Sequence, residues 1–366
     1  MHFIFWQKNL SIHQSAFLRE LAIHEQVTLV VKEEFNPARR SQGWHRPDFG
    51  LSRIMVGPSD QEIQNLITND SEAIHVFSGF FGVSMIAFAY KQVFVLRYTA
   101  FFFLEPFDVK GIKGKLRYLK YSNFIRKHRS KIKGLLVTGE KAKKLYQKCG
   151  MPANKVFSWG YFTEVFGEKA VERNNLKVCQ ILYVGTINRN KNIIPLVKLV
   201  KGLNNFFGKF LIIGGGPLKE ELKELIKDEN KIEYFGNVSN QLVKKYLCEV
   251  DLLILPSKYD GWGAVVNEAL QAGTPVIASE NCGAESLLDG EIRGEVFSFS
   301  GKNNLEVVLK KWLGKGKVSI EHRKAIQEWS QKNISGEAAA GYFVEIVEYL
   351  EGRRVERPVA PWILNG

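Results

Sequence analysis

The chain has 366 residues, of which 45% are hydrophobic and 24% are charged, and this balance excludes a disordered chain. Its length favours two domains over a single core. The four cysteines stand apart, without a Cys-x-x-Cys motif or a His/Cys cluster, so neither a disulfide framework nor a zinc site is expected. That usage is typical of a reducing, cytosolic compartment. We expect no signal peptide, because the start MHFIFWQKNL has no basic region ahead of its short apolar run. We expect no membrane span either, because no apolar stretch reaches about 18 uninterrupted residues.

The net charge of +13 is concentrated in the first part of the chain. Up to residue 165 there are 24 Lys and Arg against 13 Asp and Glu, a difference of +11. The segment Lys110–Lys148 holds 14 basic residues and one acid, Glu140, with aromatic residues between them. Such a patch suits a polyanionic surface, either anionic lipid or nucleic acid. The residues assigned to a membrane or acceptor patch are Lys113, Lys115, Arg117, Lys120, Arg126, Lys127 and Arg129.

Strands and helices alternate along this first part, which predicts βαβ units and a parallel sheet. The expected strands are Phe3–Trp6, Val27–Val31, Ile54–Val56, Ile74–Phe77, Val93–Leu96 and Leu135–Thr138. The expected helices are Ser15–Ile23, Gln61–Ile67, Val83–Tyr90, Lys115–Lys131 and Lys141–Cys149. The polar stretch Glu33–Arg53 interrupts the alternation and is expected to form a long loop.

A second alternation follows the polar segment Glu164–Lys177, which lacks periodicity and is interpreted as a linker. The expected strands are Ile181–Val184, Phe210–Ile213, Ile232–Phe235, Val250–Leu255 and Val276–Ser279. The expected helices are Ile193–Leu203, Leu218–Ile226, Asn240–Leu247, Ala264–Ala272 and Ala338–Leu350, with Pro217 at a first helical position. We therefore predict a first domain at 1–165, a linker at 166–177 and a second domain at 178–340. A C-terminal helix and tail at 341–366 is expected to pack back on the first domain.

The stretch from Val250 to Leu288 carries the chemistry of the second domain. A buried strand ends at Pro256, and the loop Asp260-Gly-Trp-Gly263 then leads into a helix. A helix N-terminus at the carboxyl end of a parallel strand offers backbone N–H groups and a positive dipole to an anion. Carboxylates at Asp260 and Glu268 would accept hydrogen bonds from sugar hydroxyls. The stretch therefore predicts a site for a sugar diphosphate.

The same stretch resembles family four of the retaining glycosyltransferases, whose signature is Glu-x7-Glu followed by Ala, Gly, Pro, Val and Ile at fixed spacing. The acids here are Asp260 and Glu268, and the other matches are Ala269, Gly273, Pro275, Val276 and Ile277. The segments YVGTINRNKNIIPL and LIIGGGPLKEELKEL are similar to two further family segments, so the resemblance extends over about residues 179–294. It implies an α/β protein with two Rossmann-like domains facing across a cleft, the GT-B fold.

The resemblance also implies roles for individual residues. Glu268 would bind the ribose hydroxyls of the donor and Asp260 the hydroxyls of its sugar. Lys191 stands where the family has a diphosphate-binding Lys, whereas the family's Arg is replaced by Thr186, and Arg189 is the candidate substitute. The other donor-binding positions are Gly185, Gly215, Gly216, Val238, Gly261, Trp262, Gly263, Ala264 and Val265. For each charged residue, the alternative is a solvated surface side chain.

On the acceptor side, His13 lies in the loop between the first strand and the first helix. It would orient an acceptor hydroxyl or a phosphate as a third catalytic residue, or it would cap the helix; both interpretations stay open. The family's Gly-Gly in this loop is absent. Glu105 is the nearest polar alternative, with a structural role equally open.

The resemblance implies a retaining glycosyltransferase in which basic side chains and the helix dipole neutralise the charge of the donor's diphosphate. Because the sequence also contains no Asp-x-Asp pair, we predict that the enzyme is independent of metal and has no cofactor. The expected donor is a UDP-sugar and the acceptor a hydroxyl of a glycan or lipid-linked sugar in surface polysaccharide or lipopolysaccharide assembly. The expected location is cytoplasmic, peripheral at the inner face of the membrane. The alternatives are an epimerase or phosphorylase of the same fold, a basic nucleic-acid-binding protein, and an inactive sugar-binding relative; no specific nucleic acid is expected.

Overall fold

The computed structural model describes residues 1–34, 46–164 and 178–364, which form two compact units. The first unit comprises 1–34, 46–164 and 335–364, and the second comprises 178–334. The predicted linker, after Glu164, and most of the predicted loop Glu33–Arg53 lie outside the described residues. The C-terminal segment that belongs to the first unit begins at Ser335, six residues before the predicted boundary at 341. No helix in the described ranges is both long enough and apolar enough to span a bilayer.

The first unit is built on a seven-stranded parallel sheet with the strand order β3-β2-β1-β4-β5-β6-β7. Its strands are β1 (His2–Asn9), β2 (Gln26–Glu33), β3 (Arg53–Val56), β4 (Ile74–Ser78), β5 (Ala100–Leu104), β6 (Gly134–Thr138) and β7 (Val156–Trp159). The connecting helices are α1 (Ile12–His24), α2 (Asp60–Thr68), α3 (Ser84–Leu96), α4 (Gly111–His128) and α5 (Gly139–Lys148). Apart from the edge strand β3, which has no buried residue, the strands are buried over most of their length, as expected for a parallel sheet covered on both faces.

The prediction was wrong between residues 83 and 104, where it had a short helix and then a strand. The segment Val93–Leu96 is the last turn of α3, and the strand is Ala100–Leu104. The buried residues of α3 recur at helical spacing through Val93 and Phe94, and no Gly or Pro ends the helix before Arg97, which has a left-handed backbone (φ 61°). Val93 and Phe94 therefore belong to the buried face of a helix, whereas Val95 and Leu96 are exposed on it.

The second unit holds a six-stranded parallel sheet with the order β10-β9-β8-β11-β12-β13. Its strands are β8 (Ile181–Val184), β9 (Phe210–Ile213), β10 (Ile232–Gly236), β11 (Leu252–Leu255), β12 (Val276–Ser279) and β13 (Gly294–Phe297). Its helices are α6 (Ile193–Lys201), α7 (Lys219–Ile226), α8 (Asn240–Glu249), α9 (Ala264–Gln271), α10 (Leu305–Gly314) and α11 (Ile320–Ile334). Pro217 precedes α7 by two residues, so its prediction as a first helical residue was wrong.

The C-terminal helix, α12 (Gly336–Glu351), packs in the core of the first unit. The ring of Phe343 lies 5.1 Å from that of Phe3 and 5.4 Å from that of Phe17, both centroid to centroid. Gly336 lies so close to the backbone of Ala16 that a Cβ atom there would overlap its carbonyl carbon and oxygen. Close contact between α12 and α1 therefore depends on this glycine.

Both sheets reverse their strand order once, between β1 and β4 in the first unit and between β8 and β11 in the second. The two strands of each pair lie side by side, while the chain leaves their carboxyl ends in opposite directions along the sheet. In open α/β sheets, ligands bind in the crevice at such a reversal. The fold therefore marks one position in each unit where functional side chains are expected.

Candidate active site

In the second unit, a lysine and an aspartate meet at the carboxyl ends of β8 and β11. Lys191 comes from the loop after β8, and Asp260 comes from the loop after β11. Lys191 Nζ lies 2.5 Å from Asp260 Oδ2, and the two side chains are only 23% and 14% exposed. Reduced solvent screening strengthens such a pair relative to a surface ion pair. Two residues predicted from separate motifs are thus joined at the point where the strand order reverses.

The two loops that carry this pair are bonded to each other. Asn190 accepts a hydrogen bond from the backbone N–H of Lys258 through its carbonyl (2.8 Å) and donates one from Nδ2 to the carbonyl of Tyr259 (2.8 Å). The backbone N–H of Lys191 donates to Asn188 Oδ1 at 2.8 Å. The positions of the Lys191 and Asp260 backbones are therefore fixed before any ligand binds.

A tyrosine that the sequence did not single out supports the same site. The Tyr183 hydroxyl, at the end of β8, donates to the carbonyl of Thr186 at 3.0 Å. Burial raises the pKa of this phenol, and the nearby charge of Asp260 raises it further. Tyr183 therefore stays protonated at physiological pH and acts by holding the loop after β8.

The loop between Asp260 and Gly263 is bound to the segment after β12. The Asp260 N–H donates to the carbonyl of Asn281 (3.1 Å), and the Ala284 N–H donates to the carbonyl of Trp262 (2.9 Å). The Trp262 indole is buried and donates from Nε1 to Asn267 Oδ1 at 2.7 Å. The side chain of Trp262, predicted among the donor-binding residues, is thus part of the interior, and its hydrogen bond to Asn267 ties the loop to α9.

Gly263 makes the sharp entry into α9. It has φ 93°, a backbone conformation that favours glycine, and a Cβ atom there would lie 2.8 Å from both Cys282 Sγ and Leu255 Cδ2. The helix then begins at Ala264 and Val265, both half-buried, whose N–H groups belong to the first turn and have no partner within the helix. Gly261, also half-buried, precedes them. This geometry fits the predicted role of the helix N-terminus toward a phosphate, which stays a prediction.

Glycines after β9 allow two loops to pack together. A Cβ atom at Gly214 would overlap the carbonyl oxygen of Gly185, and one at Gly216 would overlap that of Ile187. Gly215 accepts a hydrogen bond from the Ile187 N–H at 2.8 Å. Close packing against the loop after β8 thus explains two of these glycines without a ligand. The donor-binding roles of Gly185, Gly215, Gly216 and Val238, which is half-buried after β10, stay predictions.

Glu268 lies in the middle of α9 and is only 8% exposed. Burial raises the pKa of its carboxyl to about 7, against a smaller opposing effect of Lys244 on α8. Within the described part of the chain, no group donates a hydrogen bond to this carboxylate. Carboxyls with a strongly shifted pKa concentrate at functional sites. The structure thus separates the two acids: Asp260 is paired with Lys191, and Glu268 is buried without a hydrogen bond.

Arg189, the candidate substitute for the family's missing arginine, has an exposed side chain, as has Thr186. No hydrogen bond or ion pair of the Arg189 guanidinium occurs among the described residues. Lys191 is therefore the predicted diphosphate-binding base that the structure places against Asp260, and the role of Arg189 stays a prediction.

In the first unit, His13 lies in the first turn of α1, at the reversal between β1 and β4. Its ring stacks on that of Tyr161 with centroids 4.7 Å apart and planes at 9°. Ser11 is the N-cap, and its hydroxyl accepts from the His13 N–H at 3.3 Å. The cap of the helix is thus the serine side chain, and the role of His13 toward an acceptor stays a prediction.

The predicted basic patch lies on α4 and at its C-terminal end, where all seven residues are exposed. The same helix also exposes Ile112, Leu116 and Leu119, by 80%, 61% and 61%. Their spacing of four and three residues places them on one stripe of the helix. An apolar stripe with basic residues beside it was not predicted, because the sequence alone did not show which apolar residues of α4 face solvent.

Comparisons with known proteins agree with this architecture. The fold is similar to the solved structure of Anabaena HepE in complex with UDP, with a TM-score of 0.69 and 10% sequence identity. The superposition covers 95% of this chain and 100% of the HepE chain. Residues 166–332 match the family described as glycosyl transferases group 1. The two parallel α/β sheets and this likeness define the GT-B fold, which confirms the predicted fold class.

Two relatives extend the comparison. A Klebsiella pneumoniae protein described as an uncharacterized 41.2 kDa protein in the cps region is 26% identical over 262 residues, which are 68% of this chain and 71% of that protein. The Campylobacter jejuni N-acetylgalactosamine-N,N'-diacetylbacillosaminyl-diphospho-undecaprenol 4-alpha-N-acetylgalactosaminyltransferase is 30% identical over 154 residues, 41% of each chain. The similarity to group 1 glycosyl transferases thus lies in residues 166–332.

Proposed function

We propose that this glycosyltransferase transfers a sugar, with retention of configuration, from a UDP-sugar to a hydroxyl of a glycan or lipid-linked acceptor. The observation that carries the proposal is the Lys191–Asp260 pair at the strand-order reversal of the second unit. A cation there neutralises the charge that develops on the departing diphosphate. Asp260 accepts hydrogen bonds from the donor sugar, and the leaving phosphate takes the acceptor's proton on the same face. The chain positions and stabilises these groups without a metal.

The relatives guide the choice of substrates. HepE was solved with UDP, which supports UDP as the nucleotide. The Klebsiella relative is assigned to a cps region, and the Campylobacter enzyme is named for a diphospho-undecaprenol acceptor. Together they support a role in surface polysaccharide or lipopolysaccharide assembly on a lipid-linked acceptor.

A donor panel tests the reaction without knowledge of the acceptor. We expect at least one UDP-sugar to be hydrolysed slowly to UDP, with no loss of rate in EDTA, and with the released sugar first appearing as the donor's own anomer by NMR. An epimerised nucleotide sugar without UDP release would favour the epimerase alternative. Release of UDP that disappears in EDTA would contradict metal independence, and an inverted first product would contradict retention.

We also propose that α4 docks the protein on the cytoplasmic face of an anionic membrane. Leu116, Leu119 and Ile112 form an exposed apolar stripe, and Lys113, Lys115, Lys120 and Lys127 lie on the same helix. An amphipathic helix of this kind lies in the membrane interface, with its apolar face in the acyl boundary and its bases near anionic headgroups. A nucleic acid would also attract the basic residues of α4, but it has no apolar surface to bury the stripe.

Flotation with liposomes tests this docking. We expect the protein to float with vesicles that contain phosphatidylglycerol, to float less at high salt, and to lose about tenfold in affinity on Leu116→Glu, because a charge enters the apolar stripe. Val95→Glu is the matched control, since Val95 is 74% exposed on α3. An equal loss of liposome affinity in both variants, or no loss in Leu116→Glu, would contradict insertion of the apolar stripe. Binding would then be explained by charge alone.

A further inference from the structure

The C-terminal tail, residues 352–364, is fixed to the edge strand β7 of the first sheet. It begins at Gly352, the C-cap of α12, whose backbone is left-handed (φ 81°). Arg357 donates from Nη1 to the carbonyl of Ala153 at 3.1 Å and from Nη2 to that of Val156 at 2.8 Å. Its guanidinium also lies 4.8 Å from the centroid of the Phe157 ring. Because hydrogen bonds from a charged donor are stronger than neutral ones, Arg357 is a firm anchor for the tail.

Beyond this anchor, the tail buries a tryptophan in the first unit. Trp362, in the short helix α13 (Pro361–Leu364), is only 2% exposed. Its ring centroid lies 5.9 Å from that of Phe162 and 6.0 Å from that of Tyr342 on α12. The Phe162 ring also lies 5.1 Å from that of Trp159, the last residue of β7. The tail therefore supplies one wall of the aromatic cluster that surrounds Phe162.

The residues 160–164, which follow β7, form neither strand nor helix, and they contact the start of α1. The Phe162 N–H donates to the carbonyl of His13 at 3.0 Å, and the Tyr161 ring stacks on the His13 imidazole. Glu164 accepts a hydrogen bond from the Ser15 hydroxyl at 3.1 Å. Since no ladder of backbone hydrogen bonds fixes this segment, its position depends on such contacts and on the packing of Phe162. The position of the Tyr161 ring follows, because Tyr161 is the neighbour of Phe162 in the chain.

We propose that Trp362 is a positioning residue for His13: it holds Phe162 in place, and thereby the Tyr161 ring on which the imidazole stacks. The inference rests on the proposed function and on the predicted role of His13 toward an acceptor hydroxyl or a phosphate. Trp362 acts through Phe162 and Tyr161 rather than on the reacting atoms. Such support matters for the rate, because a misplacement of about 1 Å that originates far from the chemistry can cost about a hundredfold.

The first test follows the His13 imidazole directly. Its ring signals are assigned in full-length protein labelled with ¹³C,¹⁵N-histidine by their loss in His13→Gln. In the natural protein, the face of Tyr161 shifts the ring protons of His13 upfield. We expect Trp362→Ala to abolish most of this shift, because the space left beside Phe162 lets residues 160–164 relax, and Trp362→Phe to retain it.

Two further variants keep this test decisive. Trp362→Leu refills part of the space and should lose part of the shift, so it replaces the alanine variant if that variant does not fold. Trp312→Ala is the matched control, because Trp312 is equally buried, at 3% exposed, but lies on α10 of the second unit. It should lower stability in urea and leave the His13 signals unchanged. An unchanged His13 shift in folded Trp362→Ala or Trp362→Leu would overturn the proposal.

The second test separates positioning from a purely structural role. The kcat for UDP release, with water as the acceptor, is measured for His13→Gln, Trp362→Leu and the double variant. We expect each single change to lower kcat about tenfold, and the double variant to be no slower than His13→Gln within about twofold, because both changes act on one residue. Losses that multiply to about a hundredfold would instead show that Trp362 serves only the fold.

The outcomes also separate this inference from the proposed function. If His13→Gln releases UDP at the rate of the natural protein, the positioning role is wrong and the transferase proposal stands. If the natural protein releases UDP from no donor, the transferase proposal fails, whereas the His13 signals still decide whether Trp362 positions the imidazole.

Discussion

Lys191→Met is expected to lower kcat by about a thousandfold and the free energy of unfolding by about 1 kcal/mol, since the partly buried Asp260 loses its partner. The methionine keeps the packing of the lysine stem but removes the cation that lies 2.5 Å from Asp260 Oδ2. Two effects then add up. The departing diphosphate loses its neutralising charge, and the Asp260 carboxylate, no longer paired, repels the donor. The measurement is kcat for UDP release with the best donor of the panel, beside unfolding in urea.

A matched control lies in the same unit. Lys201, the last residue of α6, forms an ion pair with Glu229 at 3.0 Å rather than with Asp260, and Lys201→Met should leave kcat unchanged. Arg189→Met tests the candidate substitute for the family's arginine. If the exposed Arg189 contacts the diphosphate once the donor is bound, its removal should lower kcat about tenfold or more. A kcat of Lys191→Met within threefold of that of the natural enzyme would show that Lys191 does not stabilise the diphosphate.

The elements that were predicted best are those whose boundaries are local in the sequence. β8, β9 and β12 match their predicted ranges because a short apolar run ends at a turn residue or a Gly. The error at Val93–Leu96 arose because the exposed residues Val95 and Leu96 are also apolar, so the last turn of the helix forms a continuous apolar run that resembles a strand. β7, β13, α10 and α11 were not predicted, because short or mixed segments carry little periodicity of their own.

The site was predictable in part. The motif around Asp260 and the Lys after Gly185 were chosen by resemblance, but their contact joins residues 69 positions apart, which only the order of the strands determines. The burial of Trp262 and the supporting role of Tyr183 depend on packing that no spacing reveals. The packing of Trp362 on Phe162 is the extreme case, since it joins the C-terminal tail to the segment after β7.

Glu268→Gln is expected to raise stability and weaken donor binding at the same pH. Burial raises the pKa of the Glu268 carboxyl to about 7, above its ordinary value of 4.5. A group whose folded pKa is raised favours the folded state less as pH rises from its unfolded pKa through its folded pKa. At pH 8 the natural protein therefore carries a cost of up to about 3 kcal/mol, at about 1.4 kcal/mol for each pH unit between the two pKa values. Glutamine cannot ionise, so this cost is absent in the variant.

Donor binding should move the opposite way. If the Glu268 carboxylate accepts hydrogen bonds from the ribose hydroxyls, UDP should bind the natural protein more tightly as pH rises through about 7, where the carboxylate forms. The glutamine keeps one acceptor but loses the charge, so we expect UDP to bind about tenfold more weakly at pH 8, with no dependence on pH near 7. Urea unfolding and calorimetric titration of UDP from pH 5 to 8.5 measure both quantities. Glu224→Gln, an exposed acid paired with Lys227 on α7, should change neither. A variant that is less stable at pH 8 and binds UDP normally would show that Glu268 serves the fold rather than the donor.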